Sequence, residues 1–316
     1  MHPMIASAIL ELWLLPIGLL AGGLGGMLGI GGSILMIPAM MIILGPDLHV
    51  YQGAAMIVNF FVSVPAMLQH IRRGAVLRGV IRVTIPAATA TVLLGVWLSE
   101  SRWFRGENEL WLSRLFGAFL WYEVLFNLRY VLASSKHASV GQESAVMPRL
   151  SAWRAAVGVG VPTGFVAGLL GVGGGIVAVP LQQLMLKMPL RSAIANSSAT
   201  IVCLSVVGAV FKGISLAQHG VAIARPLGLA AVLIPTAVIG GYWGARLTHR
   251  VPLRALRLCM IVLMAYAGWK LIVRESRPGA AQAQPAAVTV LPAQDLRGPS
   301  ARGPAEPAIA RPPSSE

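Results

Sequence analysis

The chain repeats itself, and what it repeats is a break in an apolar run. Residues Leu28-Gly29-Ile30-Gly31-Gly32-Ser33-Ile34-Leu35-Met36-Ile37-Pro38 return 142 positions later as Leu170-Gly171-Val172-Gly173-Gly174-Gly175-Ile176-Val177-Ala178-Val179-Pro180. The glycines upstream return in the same register, Gly18, Gly22 and Gly26 as Gly160, Gly164 and Gly168. A repeat at a fixed offset sets the architecture before any local reading begins. Here it implies two homologous halves, each carrying a glycine cluster inside a long apolar segment.

The first of these segments, Leu12 to Leu44, runs 33 residues without a charge. About 20 apolar residues suffice to cross a bilayer, so 33 is too many for one ordinary span. Glycine in a helix interior costs about 1 kcal/mol relative to alanine. A cluster of it marks a place where the helix need not continue, and the segment reads as two half-length helices joined at Gly31-Gly32. The second long segment, Ala155 to Leu186, is broken the same way at Gly173-Gly174-Gly175.

Only 11% of the residues are charged and 56% are hydrophobic. Soluble domains carry about 25% charge, and a core of this size cannot hide so much apolar surface from water. The chain is therefore read as an all-α integral membrane protein in contact with the lipid bilayer. Further spans are expected at about 52–70, 80–98 and 110–132 in the first half, and at about 193–211, 226–245 and 256–273 in the second. The predicted divisions are a first transmembrane repeat over 12–133, a cytoplasmic linker over 134–150, a second repeat over 151–273 and a disordered tail over 274–316. The tail is rich in Pro, Ala, Gly and Gln, a composition that cannot bury enough apolar surface to order itself.

The net charge of +14 lies mostly in short loops between hydrophobic segments. That pattern controls topology and does not point to nucleic acid. Arg72, Arg73 and Lys212 are read in this way. The loops 71–82 and 246–257 and the linker are the most basic and are expected to be cytoplasmic. All three share a side only if each glycine-broken segment folds back as a hairpin, spanning or re-entrant. The two halves then insert in opposite senses, as an inverted repeat of 8–10 membrane segments.

An inverted repeat brings the two breaks together at mid-membrane. Broken helices present free backbone N–H groups and positive dipole ends, which suit a small anion. The candidate substrate-binding residues are therefore Gly29, Gly31, Gly32, Ser33, Gly171, Gly173, Gly174 and Gly175. Asn59, Asn196 and Ser198 join them as polar groups in the spans that follow, with helix–helix hydrogen bonding as the competing role. Aligning Gly74 with Gly213 sets Asn59 opposite Ser198. The six upstream glycines, spaced by four, are read as packing positions. Glu123 is the one carboxylate well inside an expected span and is the candidate for proton coupling, unless it only pairs with Arg129 or another helix. No cofactor or metal is expected, because Cys203, Cys259 and the histidines show no ligand spacing. Nucleotide binding is excluded by the glycine spacing, and no GK[ST] follows the clusters.

The doubled glycine block ending in Pro38 and Pro180, each followed by a span ending in Arg73-Gly74 or Lys212-Gly213, resembles the TauE/SafE family of sulfite exporters and related permeases. The resemblance covers about residues 12–273. It implies a multi-pass permease of a bacterial-type inner (plasma) membrane that moves a small anion, often a sulfur-containing one such as sulfite, sulfoacetate or another organosulfonate. The halves are unequal, with Ser33 against Gly175 and Asn59-Phe60-Phe61 against Ser198-Ala199-Thr200. The expected function is transport by alternating access with no enzymatic activity. The alternatives are a membrane-embedded enzyme or assembly factor, against which no HExxH or nucleophile elbow is present, and a passive anion channel. Oligomeric state, direction and coupling ion are not readable from the sequence.

Overall fold

A computed structural model describes residues 13–104, 109–134, 152–247 and 253–273, all within one compact unit, Met1–Ser276. The linker and the tail expected from the sequence lie outside the described residues. So do Met1 to Leu12 and the first part of the loop at 248–252.

All regular structure among the described residues is helical. In the first half α1 covers Leu14–Leu28, α2 Ser33–Ile43, α3 Leu48–Arg72, α4 Arg78–Ser99 and α5 Glu109–Ser134. In the second half a π-helical stretch Arg154–Gly160 runs into α6, Val161–Leu170. It is followed by α7 Gly175–Leu186, α8 Leu190–Gln218, α9 Ala224–Leu247 and α10 Leu253–Ile272. The expected break inside each long apolar segment is present. Gly29 closes α1 and Gly171 closes α6, both left-handed at φ 63° and 70°, a conformation that a side chain would strain.

Helices α3, α4, α8 and α9 have both the length and the apolarity to cross a membrane. Helix α5 also has the length, 26 residues. Large apolar side chains such as Leu94, Trp97, Val210 and Val262 are exposed on these helices and on α10. Such surface is tolerable when it faces lipid and not when it faces water.

The expected spans match these helices within a few residues, with one exception. The span expected to stop at Phe211 continues as α8 to Gln218. Lys212 is therefore inside a helix and not at its border, and its side chain is fully buried. Reading it as a topology charge was wrong: a partner on another helix, not water, satisfies its ammonium.

The halves do not pack as separate blocks. Helix α1 of the first half lies along α9 of the second, and α6 of the second lies along α4 of the first. The glycine stripes make both contacts. A Cβ at Gly22 would stand 2.1 Å from the Ala237 carbonyl oxygen, and one at Gly26 2.4 Å from that of Gly241. In the other half a Cβ at Gly164 would stand 1.9 Å from the Ala88 oxygen, and one at Gly168 2.1 Å from that of Val92. Only glycine allows backbones this close, as in other small-residue helix contacts. The packing role read for these six glycines is what they perform. The central pair, α3 and α8, packs between these two seams and against both α9 and α4.

Candidate functional site

The two breaks meet. A Cβ on Gly175 would stand 2.5 Å from the Gly29 oxygen and 2.6 Å from the Ile30 Cα. This contact explains why the halves differ at the last motif position. Ser33 has room for its hydroxyl, whereas a serine at 175 would strike the backbone of the first break.

Helices α3 and α8 grip the breaks reciprocally. A Cβ on Gly29 would strike Ile194 of α8, and one on Gly171 would strike Gln52 of α3. Gly171 stands 142 residues after Gly29, and Ile194 stands 142 after Gln52. In this register Asn59 corresponds to Ile201 and not to Ser198. Ile201 does lie against the second break, where a Cβ at Gly173 or Gly175 would meet it. The partner of Asn59 in the second half is thus apolar.

Asn59 is the residue that ties the site together. It is fully buried, and its Oδ1 accepts hydrogen bonds from the backbone N–H of Gly32 at 2.9 Å and of Ser33 at 3.2 Å. These are N–H groups at the start of α2, which an α-helix cannot satisfy internally. The Asn59 amide nitrogen donates to Ser33 Oγ at 2.9 Å. The same nitrogen would be 2.7 Å from a Cβ at Gly173, so Asn59 touches both breaks. The free N–H groups anticipated at the first break are in this conformation held by an asparagine carbonyl.

The remaining candidates divide. Ser198 Oγ donates to the Ile194 oxygen one turn back in its own helix, at 3.0 Å. Asn196 accepts the Leu77 N–H at 2.7 Å and so anchors the loop between α3 and α4. Neither hydrogen-bonds to a break. The neighbour between them does: Ser197 Oγ donates to the Gly29 oxygen at 2.6 Å and lies 3.5 Å from that of Gly175. Ser197 is not among the candidates that the sequence singled out. Helical spacing from Ile194, which faces the break, points to 197 and 198 equally, so only the packing decides.

Glu123 on α5 is buried, and Asn127 donates to its Oε2 at 3.3 Å and to its backbone oxygen at 2.8 Å. Its Oε1 has no hydrogen-bond partner among the described residues. It lines a cavity of about 40 Å³ together with Leu28 and Ile30 beside the first break and Ile176, Val179 and Ile194 beside the second. One water needs about 10–15 Å³ by this measure, so the cavity has room for a few waters and not for an organosulfonate in this conformation. No group of His, Cys, Asp or Glu able to hold a metal occurs among the described residues.

A second polar cluster was not anticipated. It sits where α3 begins, α4 ends and α8 nears its end. Lys212 pairs with Glu100, and its Nζ donates to Gln52 Oε1 at 2.6 Å. His49 Nδ1 lies 3.0 Å from Glu100 Oε1 and 3.0 Å from Lys212 Nζ. Ser215 Oγ donates to Glu100 Oε2 at 3.1 Å. Glu100 stands one residue beyond α4. Burial pushes its carboxyl up, but the hydrogen bond with His49 and the Lys212 ammonium outweigh this and hold it well below the usual carboxylate range.

Comparison with known proteins identifies the chain at the level of its family. Residues 14–271 match the family model described as Sulfite exporter TauE/SafE. The probable membrane transporter protein MamO of Paramagnetospirillum magneticum is 28% identical over 283 residues, which are 82% of this chain and 44% of that protein. The probable membrane transporter protein YunE of Bacillus subtilis is 26% identical over 277 residues, 82% of this chain and 96% of that protein. The chain thus spans less than half the length of MamO and nearly all of YunE. No solved structure matches.

Proposed function

The chain belongs to the Sulfite exporter TauE/SafE family, and we propose that it carries a small, sulfur-containing anion across the inner membrane through the paired helix breaks. A multi-pass membrane protein of a transporter family, not an enzyme, is the frame for this reading. What supports the anion is Asn59. Its carbonyl oxygen takes two backbone N–H groups at a helix start, a geometry that equally serves an oxyanion. In the proposed cycle the substrate's sulfonate or sulfite oxygens replace Asn59 Oδ1 on Gly32 and Ser33. Ser33 and Ser197 supply hydroxyls to the same place, and Gly171 to Gly175 form the facing wall.

Opposed insertion of the two halves accounts for the reciprocal contacts of Gly29 with Ile194 and of Gly171 with Gln52. Alternating access then amounts to shifting α1–α2 together with α9, and α6–α7 together with α4, around the α3–α8 centre. Glu123 borders both breaks. An ionised carboxylate there would repel an anion, and a proton taken up with the substrate removes that charge. Sulfite, sulfoacetate and other organosulfonates share the tetrahedral or pyramidal oxyanion that this seat fits.

The test is flux of labelled sulfoacetate, sulfite and an unrelated carboxylate in proteoliposomes holding the purified chain. Saturable movement of a sulfur oxyanion is expected. No movement of any of them by folded, monodisperse protein overturns the proposal.

A further inference from the structure

The hydrogen-bond geometry at the start of α3 poses a choice for one atom. His49 Nε2 lies 3.0 Å from the Phe104 carbonyl oxygen. A carbonyl only accepts, so Nε2 carries a hydrogen. Nδ1 then has two neighbours that make opposite demands. Lys212 Nζ at 3.0 Å only donates and needs a lone pair on Nδ1. Glu100 Oε1 at 3.0 Å only accepts and needs a hydrogen there. Neutral His49 satisfies the lysine, and protonated His49 satisfies the glutamate.

We propose that His49 Nδ1 is a proton-binding site whose occupancy exchanges Lys212 for Glu100 as its partner and is transmitted through Gln52 to the second helix break. Both states are fully bonded. Lys212 has three N–H groups. With His49 neutral they go to Glu100, Gln52 Oε1 and His49 Nδ1. With His49 protonated the third turns to Ser99 Oγ, 3.1 Å from Nζ, while Nδ1–H donates to Glu100. One proton is taken from solvent and no covalent bond other than N–H forms. Two cations then stand side by side, and their repulsion moves Lys212 away from the ring.

The transmission follows from what Lys212 holds. Gln52 Oε1 accepts from Lys212 and, at 3.3 Å, from Ser99 Oγ. The other end of the same amide donates to the Leu169 oxygen at 3.3 Å, in the last turn of α6. The Gln52 side chain also packs on Gly171, where a Cβ would stand 2.6 Å from it. A displaced lysine therefore pulls on the segment that closes α6. Among the described residues, the charged groups in contact with the ring are Glu100 after α4 and Lys212 on α8, and Arg102 lies in the turn that ends at Phe104. Asp47 stands before α3, paired at 2.7 Å with Arg225 of α9. Tyr51 lies further along α3. His219 lies after α8 and donates from Nδ1 to the Ser215 oxygen at 2.7 Å.

The effect on transport rests on the anion reading above, but the site itself does not, and it is tested without substrate. The full chain is labelled with 15N-histidine and titrated by NMR from about pH 5 to about pH 9, the range around the ordinary histidine value. The His49 signal, one of six histidines, is assigned as the one lost in His49→Gln. Expected is an Nε2–H tautomer at high pH and a doubly protonated ring at low pH. An Nδ1–H tautomer, or a ring that never gains its second proton, overturns the site. Backbone hydrogen exchange over 169–175, scaled to that of α4, is expected to rise on acidification in the wild type and to lose this pH dependence in His49→Gln and in Gln52→Leu. A scaled ratio that does not change with pH in the wild type overturns the coupling. Should His49→Gln fail to fold, His49→Asn supplies the assignment, and the wild-type titration and exchange decide both points.

Discussion

Replacing Asn59 by aspartate and by leucine separates a binding seat from a packing contact. Leucine fills similar space but leaves the N–H groups of Gly32 and Ser33 without the acceptor they use. A buried donor left unsatisfied costs about 1–3 kcal/mol, so two cost about 2–6 kcal/mol. Aspartate keeps an oxygen in the same position. Its charge lies at the start of α2, where the helix dipole and both N–H groups favour it, and such charge-assisted bonds are about twice as strong as neutral ones. The Ser33 hydroxyl, which accepts from the Asn59 amide, can turn and donate to the carboxylate. Asn59→Asp is therefore expected to melt close to the wild type in detergent, and Asn59→Leu far below it. Transport should behave differently. A carboxylate fixed in the seat competes with any incoming oxyanion, so Asn59→Asp should lose flux while keeping its fold. If aspartate destabilises as much as leucine, or moves sulfoacetate at the wild-type rate, the seat is not an anion site.

Five further outcomes are expected. Gly32→Leu and Gly174→Leu should abolish flux without blocking membrane insertion, and normal flux in both would place the site elsewhere. Lys212→Met removes the ammonium that pairs with the Glu100 carboxylate and should destabilise by about 3–5 kcal/mol. The double variant with Glu100→Gln should recover most of that, and additive losses in a double-mutant cycle by thermal melting would deny the pairing. Because Glu100 is held below the ordinary carboxylate range, the stability it contributes is complete above the ordinary glutamate value of about 4.3 and falls away as the solution becomes more acidic. Glu100→Gln should flatten that acid limb in a melting series. Glu123→Gln should remove the pH dependence of flux if its proton travels with the anion, and an unchanged profile refutes that role. Labelling of Val76→Cys and Pro252→Cys from one side only, the cytoplasmic one, is expected from opposed insertion.

The helix breaks and the seams were legible because glycine leaves a mark in sequence. No other residue gives a period-four stripe of absent side chains, or a cluster inside an apolar run. The boundaries of α3, α4 and α9 followed from hydropathy for the same local reason. Lys212 was not legible. A lysine at the end of an apolar run looks like a membrane border, and only Glu100, just past the end of α4 and 112 residues away in sequence, turns it into an interior charge. Gln52 and His49 were passed over likewise, since each lies at the start of a span among ordinary boundary residues. Asn59 was found from its depth, but its opposite number was misplaced. Aligning the ends of α3 and α8 hid the register set by their middles, because α8 is 29 residues long and α3 is 25.

The glycine seams have a consequence for how this protein can move. Each joins a helix of one half to a helix of the other, with backbones at distances that leave no side chain to act as a bearing. Sliding one half past the other would have to tear both seams at once. The stiff bodies are instead the mixed pairs, α1 with α9 and α6 with α4. The ancestral unit that was duplicated is thus no longer the mechanical unit. A gene cut at the linker would yield two pieces, each missing one wall of each seam, that become whole only when they meet in the membrane.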